Sequence, residues 1–307
     1  MDAGIVFQKM LVLLILILVG YLTYKLGILG KDTGKQISGL IVKVLNPAIM
    51  LASAMGDRGS VTGKELSLAG VFAFFMFVLL IGLGWVLGAV FGRDREEKRL
   101  YNLMTVFSNL GFIGIPVTQA IYGEAAVIYV SIFVLEYNCF FYTYGMMLVD
   151  RASGRAGRGF SPKSLLNSGM AACVITLLLT VFRTPVPFFI SGPISYLGDA
   201  CVPMALLAIG VSLAQNDWRT IFLDWRIYLF SILKLLAVPV ICVLFMRLIP
   251  ADRTIRGVTA VMLAMPVGNM AAMAAETAGM DSAVCSRGVT ITTVLTLFTV
   301  PLVAALI

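Results

Sequence analysis

Hydrophobic positions along this chain fall into ten blocks separated by short charged or Gly/Pro-rich breaks, at approximately 4–26, 36–55, 66–91, 101–121, 125–149, 164–182, 189–214, 226–248, 255–275 and 282–306. A bilayer core takes about 20 apolar residues of helix, so each block predicts one membrane-spanning helix. The first, within MDAGIVFQKMLVLLILILVGYLTYKLG, is too long for a signal-peptide core, and no small-residue cleavage site follows it. It is expected to stay as the first span. The predicted fold class is an all-α integral membrane protein with ten transmembrane helices.

The longest connection, DRASGRAGRGFSPK at 150–163, divides the chain into five segments at 1–149 and five at 164–307. An odd number of spans per half gives the halves opposite orientations, which is the arrangement of an inverted repeat. A shift of 156 residues superposes Pro47 on Pro203, Leu51 on Leu207, Ala52 on Ala208 and Gly123 on Gly279. Lys and Arg set the orientation. Loops after odd-numbered segments hold fourteen (Lys25, Lys31, Lys35, Arg93, Arg95, Lys98, Arg99, Arg151, Arg155, Arg158, Lys163, Arg219, Arg226, Arg287), and the others hold six (Arg58, Lys64, Arg183, Arg247, Arg253, Arg256). The positive-inside rule puts the first set in the cytoplasm and both termini outside an inner (plasma) membrane.

Composition agrees. Hydrophobic residues make up 60% of the 307 and charged residues 13%, about half the charged share of a soluble domain. The net charge of +7 is spread over short loops, which fits membrane orientation and argues against nucleic acid. Histidine is absent, so histidine bases, proton relays and most catalytic zinc sites are excluded. The five cysteines, Cys139, Cys173, Cys201, Cys242 and Cys285, sit far apart in apolar blocks with no CxxC pair. They read as core residues, with no metal and no cofactor expected. HExxH, GxSxG, GxxxxGKS/T and GxGxxG motifs are lacking, so no catalytic residue is expected.

Segments 4 and 9 carry the densest signal. FSNLGFIGIPVTQAIYG holds Asn109, Gly111, Gly114 and Pro116; VMLAMPVGNMAAMAAETAG holds Pro266, Gly268 and Asn269 at similar depth. Proline removes a donor and clashes with the carbonyl four residues back, and glycine weakens the helix further. Both clusters are expected to unwind. Broken backbone in a bilayer survives only where protein buries it or it lines a wet cavity. Paired breaks point to a transporter's binding site, whose half-helix N-termini suit a carboxylate. Asn109 and Asn269 would add donors beside them.

Glu136 in segment 5 and Lys234 in segment 8 are ionisable residues inside apolar blocks. Two readings are open: Glu136 binds a coupling proton or sodium ion with Asn138 as a polar neighbour, or Glu136 and Lys234 form a structural ion pair. A snorkelling lysine is a third option for Lys234. Lys43 and Asp199, early in segments 2 and 7, either flank the cavity or reach the interface, and Glu276 and Asp281 are expected at a solvated helix end. The aromatic cluster Tyr137, Phe140, Phe141, Tyr142 and Tyr144 reads as packing.

SNLGFIGIP at 108–116, PMALLAIGVSLA at 203–214, and AMPVGNMAAMAAETAG at 264–279 followed by SRGVTITTVLTLFTVPLVAAL resemble the auxin efflux carrier family over essentially the whole chain. The resemblance implies ten helices in two inverted five-helix repeats, with helices 4 and 9 crossing at their breaks near the substrate. On that basis Asn109 and Pro116 belong to the first crossover strand and Pro266 to the second. Plant members export an indole carboxylate, and bacterial members are linked to dicarboxylates such as malate or malonate or have no assigned substrate. The expectation is a secondary active transporter of small organic anions, with an anion channel or uncoupled uniporter as the alternative. A panel of helices 1, 2, 6 and 7 would serve as scaffold or homodimer face.

Overall fold

A computed structural model describes residues 3–55, 61–152, 168–215, 224–246 and 252–305. Helices in chain order are α1 (Ala3–Lys25), α2 (31–55), α3 (Gly63–Phe91), α4a (Arg95–Val106), α4b (110–122), α5 (126–152), α6 (Ser168–Phe182), α7 (Phe188–Gln215), α8 (225–246), α9a (Arg253–Leu263), α9b (Asn269–Thr277) and α10 (Ala283–Ala305). Among the described residues there is no strand, only one isolated antiparallel bridge between Ser108 and Val267. Six helices, α2, α3, α5, α7, α8 and α10, are long and apolar enough to cross a membrane; α1, α4b and α6 contain shorter apolar stretches. Most of the connection at 150–163 lies outside the described residues, as do Arg58, Arg219 and Arg247 among the residues counted for orientation.

Several helices begin earlier than the apolar blocks because their first turns are polar and capped. Asp94 accepts from the Glu97 N–H at the start of α4a, and Asp252 accepts from the Thr254 N–H at the start of α9a. Thr62 and Glu65 form a reciprocal capping box at the start of α3. Hydropathy marks the part of a helix in hydrocarbon, whereas caps mark where the helix begins.

Wide π turns interrupt α2 at Ile41–Leu45, α4b at Leu110–Gly114, α5 at Phe141–Gly145 and α8 at Leu233–Ala237. Three of the four end two residues before a proline: Pro47, Pro116 and Pro239. A proline ring collides with the carbonyl four residues back, and one wide turn moves that carbonyl aside without ending the helix. Pro116 therefore sits in the first regular α turn after the π turn, and 110–122 is a continuous helix. The expected unwinding through Gly111, Gly114 and Pro116 does not occur; the backbone opens just before them.

α1 packs along α7, α7 along α2 and α2 along α6, while α3 packs on α4a and on α5. The α1–α7 contact is close because Gly20 and Gly210 face it. A Cβ on Gly210 would overlap the Ile17 carbonyl oxygen, and one on Gly20 the Leu207 carbonyl oxygen. Small residues are what allow membrane helices such close approach. Outward positions such as Phe74, Phe75, Trp85, Phe182 and Phe245 are exposed and apolar, as a lipid-facing surface requires. Gly210→Ala is expected to cost about 1–3 kcal/mol through overpacking, read as a lower unfolding temperature of the purified protein, with Ala208→Gly as a milder control at a neighbouring site.

Candidate functional site

The chain runs into the middle of the molecule along α4a, opens at 107–109 and leaves along α4b; it enters again along α9a, opens at 264–268 and leaves along α9b. The two openings cross antiparallel. The Asn109 N–H donates to the Pro266 carbonyl at 2.7 Å, and the Gly268 N–H donates to the Phe107 carbonyl at 2.9 Å. Gly268 is needed for this approach, since a Cβ there would lie 2.9 Å from the Phe107 oxygen.

Side chains from three further helices satisfy three of the backbone groups that the crossing leaves over. The Val267 N–H donates to Thr292 Oγ1 of α10 at 3.0 Å. Lys234 of α8 donates from Nζ to Ser108 Oγ at 2.7 Å and to the Met265 carbonyl at 3.0 Å. Asn46 of α2 donates from Nδ2 to the Gly111 carbonyl at 3.1 Å, while its Oδ1 accepts from Cys201 of α7 at 3.1 Å. Phe107 is clamped edge-on by Tyr137 and Phe141 of α5, at centroid distances of 5.5 and 5.1 Å. The aromatic cluster of α5 is thus packing, as expected, and part of that packing fixes the crossing.

Four helix ends meet here. α4a and α9a arrive with their C-terminal, negative ends, and α4b and α9b depart from their N-terminal, positive ends. At α4b, Asn109 Oδ1 accepts from the Phe112 N–H at 3.1 Å, which leaves the amide nitrogen of Asn109 as a donor. At α9b, Asn269 occupies the first helical position and its side chain is exposed. Among the described residues, the first N–H groups of α9b, on Asn269 and Met270, have no protein acceptor.

Of the residues singled out from sequence, Asn109, Pro266 and Gly268 lie in the crossing itself, and Asn269 lies at its edge. Gly111 and Gly114 lie in the π turn behind Asn109, and Pro116 is buried in the following turn, so Pro116 is not part of the crossover strand. Gly111 contributes its carbonyl to Asn46, and Gly114 packs against Met262. Asn138 donates to the Val134 carbonyl of its own helix at 2.7 Å. That bond uses one of its two amide N–H groups.

The ionisable pair is not formed. Lys234 is 1% exposed, so it does not snorkel, and its partners are Ser108 and Met265 rather than Glu136. Glu136 instead faces Gly70 of α3, and its Oε2 is buried with no hydrogen-bond partner among the described residues. Lys43, Asp199, Glu276 and Asp281 are all exposed. Among the described residues no group of acidic or cysteine side chains is arranged to hold a metal ion, and the cysteines are free.

Sequence reasoning missed Asn46, Ser108 and Thr292. The signal for Asn46 was present, a polar residue beside Pro47 in an otherwise apolar run. Thr292→Val leaves the buried Val267 N–H without an acceptor and is expected to cost about 1–3 kcal/mol. Thr292→Ser keeps the hydroxyl and should stay within about 1 kcal/mol of the wild type. Comparing the unfolding temperatures of the two variants checks this.

The membrane transport protein family model matches residues 5–158 and 157–304. An uncharacterized transporter of Methanothermobacter thermautotrophicus is 24% identical over 297 residues, covering 96% of each chain. An uncharacterized transporter of Methanocaldococcus jannaschii is 26% identical over 302 residues, covering 95% of this chain and 96% of its own. With crossed helix openings at its centre and family similarity from end to end, this chain is a multi-pass membrane protein that belongs to the membrane transport protein family, the auxin efflux carriers.

Proposed function

We propose that this protein is a secondary active transporter of small organic anions, mono- or dicarboxylates, that works by alternating access across a cell's inner membrane. The observation that carries the reading is the crossing of the openings at 107–109 and 264–268, from which two helix N-termini depart. Partial positive charge at those ends, the free amide nitrogen of Asn109 and the unmatched N–H groups of α9b make a small cradle for a carboxylate. Gly111, Gly114 and Pro116 shape the turn behind Asn109; Pro266, Gly268 and Asn269 form the other wall.

The halves 1–149 and 164–307 are read as inverted five-helix repeats, giving ten spans with both termini outside. Supporting this, Gly123 and Gly279, matched by the 156-residue shift, each follow the half-helix after a break and each take positive φ, +89° and +75°. The α1, α2, α6 and α7 panel is the static scaffold, and a face for a second copy. An apolar crevice between α1, α4b, α7 and α10, lined by Leu13, Ile17, Ile113, Val117, Leu206 and Ile209, is the seam along which the crossing bundle shifts. Glu136, with an unpartnered buried oxygen against α3, is the residue that takes up a coupling proton or sodium ion; Asn138, one N–H of which is held by the Val134 carbonyl, is its polar neighbour.

A thermal-shift screen of the purified protein against small carboxylates tests this reading, because a ligand that binds only the folded state raises apparent stability by mass action. At least one acid should stabilise the wild type, and Asn109→Ala should lose that shift. The variant itself should fold, losing about 1 kcal/mol with its helix cap. Stabilisation that is unchanged in Asn109→Ala would remove Asn109 from the site, and failure of every carboxylate where other solutes succeed would sink the organic-anion reading. Glu136→Gln should keep acid binding but abolish its dependence on pH or sodium, measured with the same acid; an unaltered dependence would exclude Glu136.

A further inference from the structure

Lys234 is 1% exposed at the crossing, and Glu136, the other charge inside a helix, is partly buried against α3 and away from the crossing. Lys234 is far from any helix end, in the middle of α8, inside the π turn Leu233–Ala237 set by Pro239. That wide turn re-aims Lys234 out of the regular helical register. Its Nζ reaches the Met265 carbonyl, just beyond the C-terminus of α9a, and Ser108 Oγ, just beyond the C-terminus of α4a. No carboxylate is paired with it among the described residues.

Two helix C-termini aimed at one point carry roughly half an elementary negative charge each. Together they match one ammonium. An unpaired ammonium in an apolar interior is costly, and here one carbonyl, that of Met265, and one hydroxyl, that of Ser108, stand in for its water. In transporters with discontinuous helices, the C-terminal ends and unwound carbonyls are where a coupling cation is held. In this chain a covalently attached cation stands at that place.

We infer that Lys234 is the resident cation of the crossing, filling the position at which a sodium ion would otherwise bind, so that the crossing takes an anion at its positive ends and no inorganic cation at its negative ends. This rests on reading the crossing as the transport site and narrows it: whatever ion couples transport, it does not bind at the crossing. The division is geometric. Just past the C-termini of α4a and α9a, the Ser108 hydroxyl and the Met265 carbonyl face Lys234, while the N-termini of α4b and α9b carry the N–H groups at Asn109 and Asn269. Groups facing the ammonium from the surrounding elements are Ser108 and the Met265 carbonyl; Glu136 faces α3 instead.

The test uses no substrate, so its failure would leave the organic-anion reading standing. The full chain carrying Glu136→Gln, which takes that carboxylate out of the comparison, is placed in lipid nanodiscs. Its unfolding temperature is read in sodium, potassium or choline chloride at equal ionic strength. The three values should coincide; a rise specific to sodium overturns the inference. Adding Lys234→Ala should lower the unfolding temperature by several degrees in choline, and methylammonium chloride, which replaces the lost ammonium, should restore part of the loss where choline does not. Lys234→Met, which keeps the length and removes the charge, should be as destabilised as Lys234→Ala in choline. Stability equal to the parent chain in Lys234→Met would overturn the proposal from the other side. Should neither lysine variant fold, the comparison of salts on the parent chain decides alone.

Discussion

Backbone N–H and carbonyl groups inside a bilayer have no water to turn to, and each one left unpaired costs several kcal/mol. An opened helix therefore has to be repaired by the rest of the molecule. Here the two openings first repair each other, through Asn109 to Pro266 and Gly268 to Phe107. Three further groups are met by one side chain each from α2, α8 and α10: Asn46, Lys234 and Thr292. Three helices from both parts of the chain are thus tied to one point. Their placement follows from the needs of a few backbone atoms more than from apolar packing, because lipid competes for apolar surface on equal terms.

Proline has two different consequences in this fold, and the difference decides where the site lies. Pro47, Pro116 and Pro239 each follow a π turn that absorbs the missing hydrogen bond and keeps the helix whole. Pro266 lies in a true opening. The distinction is made by the partner: at 264–268 another extended segment lies alongside to pair with, and at Pro116 none does. The π turns also have effects of their own. One aims Lys234 at the crossing, and another carries the Gly111 carbonyl to Asn46. Strain introduced by proline is converted into side-chain direction.

Much of this was legible in the chain. Apolar blocks located the helices, since hydropathy is a sum over many residues and tolerates local error. Asn109, Pro266 and Gly268 were found because a polar or helix-breaking residue in the middle of a long apolar block needs a reason. What could not be read was partnership. A Lys234–Glu136 pair was one open reading because both are mid-block charges, but the hydrogen-bond partners of Lys234 are the carbonyl of Met265 and the hydroxyl of Ser108. Neither stands out in sequence. Pro116 lies seven to nine residues past the actual opening at 107–109, because a proline acts on the turn before it and a π turn is invisible to composition. Thr292 looks like any of the threonines of α10 until the Val267 N–H is seen pointing at it.

Family membership says that the chain is a membrane transport protein; the proposed anion site depends on the crossing. If residues 107–109 and 264–268 lie against each other, two segments far apart in sequence share one electrostatic site, with N-termini on one side and a lysine on the other. Residues 108 and 267 form the non-hydrogen-bonded pair of the bridge, the geometry in which Cα atoms stand about 4.5 Å apart and a disulfide can close. The direct measurement is oxidative cross-linking of Ser108→Cys with Val267→Cys, in a chain whose own cysteines are replaced, followed by mass spectrometry of the linked peptides. The account predicts an efficient intramolecular disulfide in folded protein in its membrane, and none when the partner is moved to an outward site such as Phe245→Cys. Folded protein that never forms the 108–267 link would contradict the crossing and the anion site built on it.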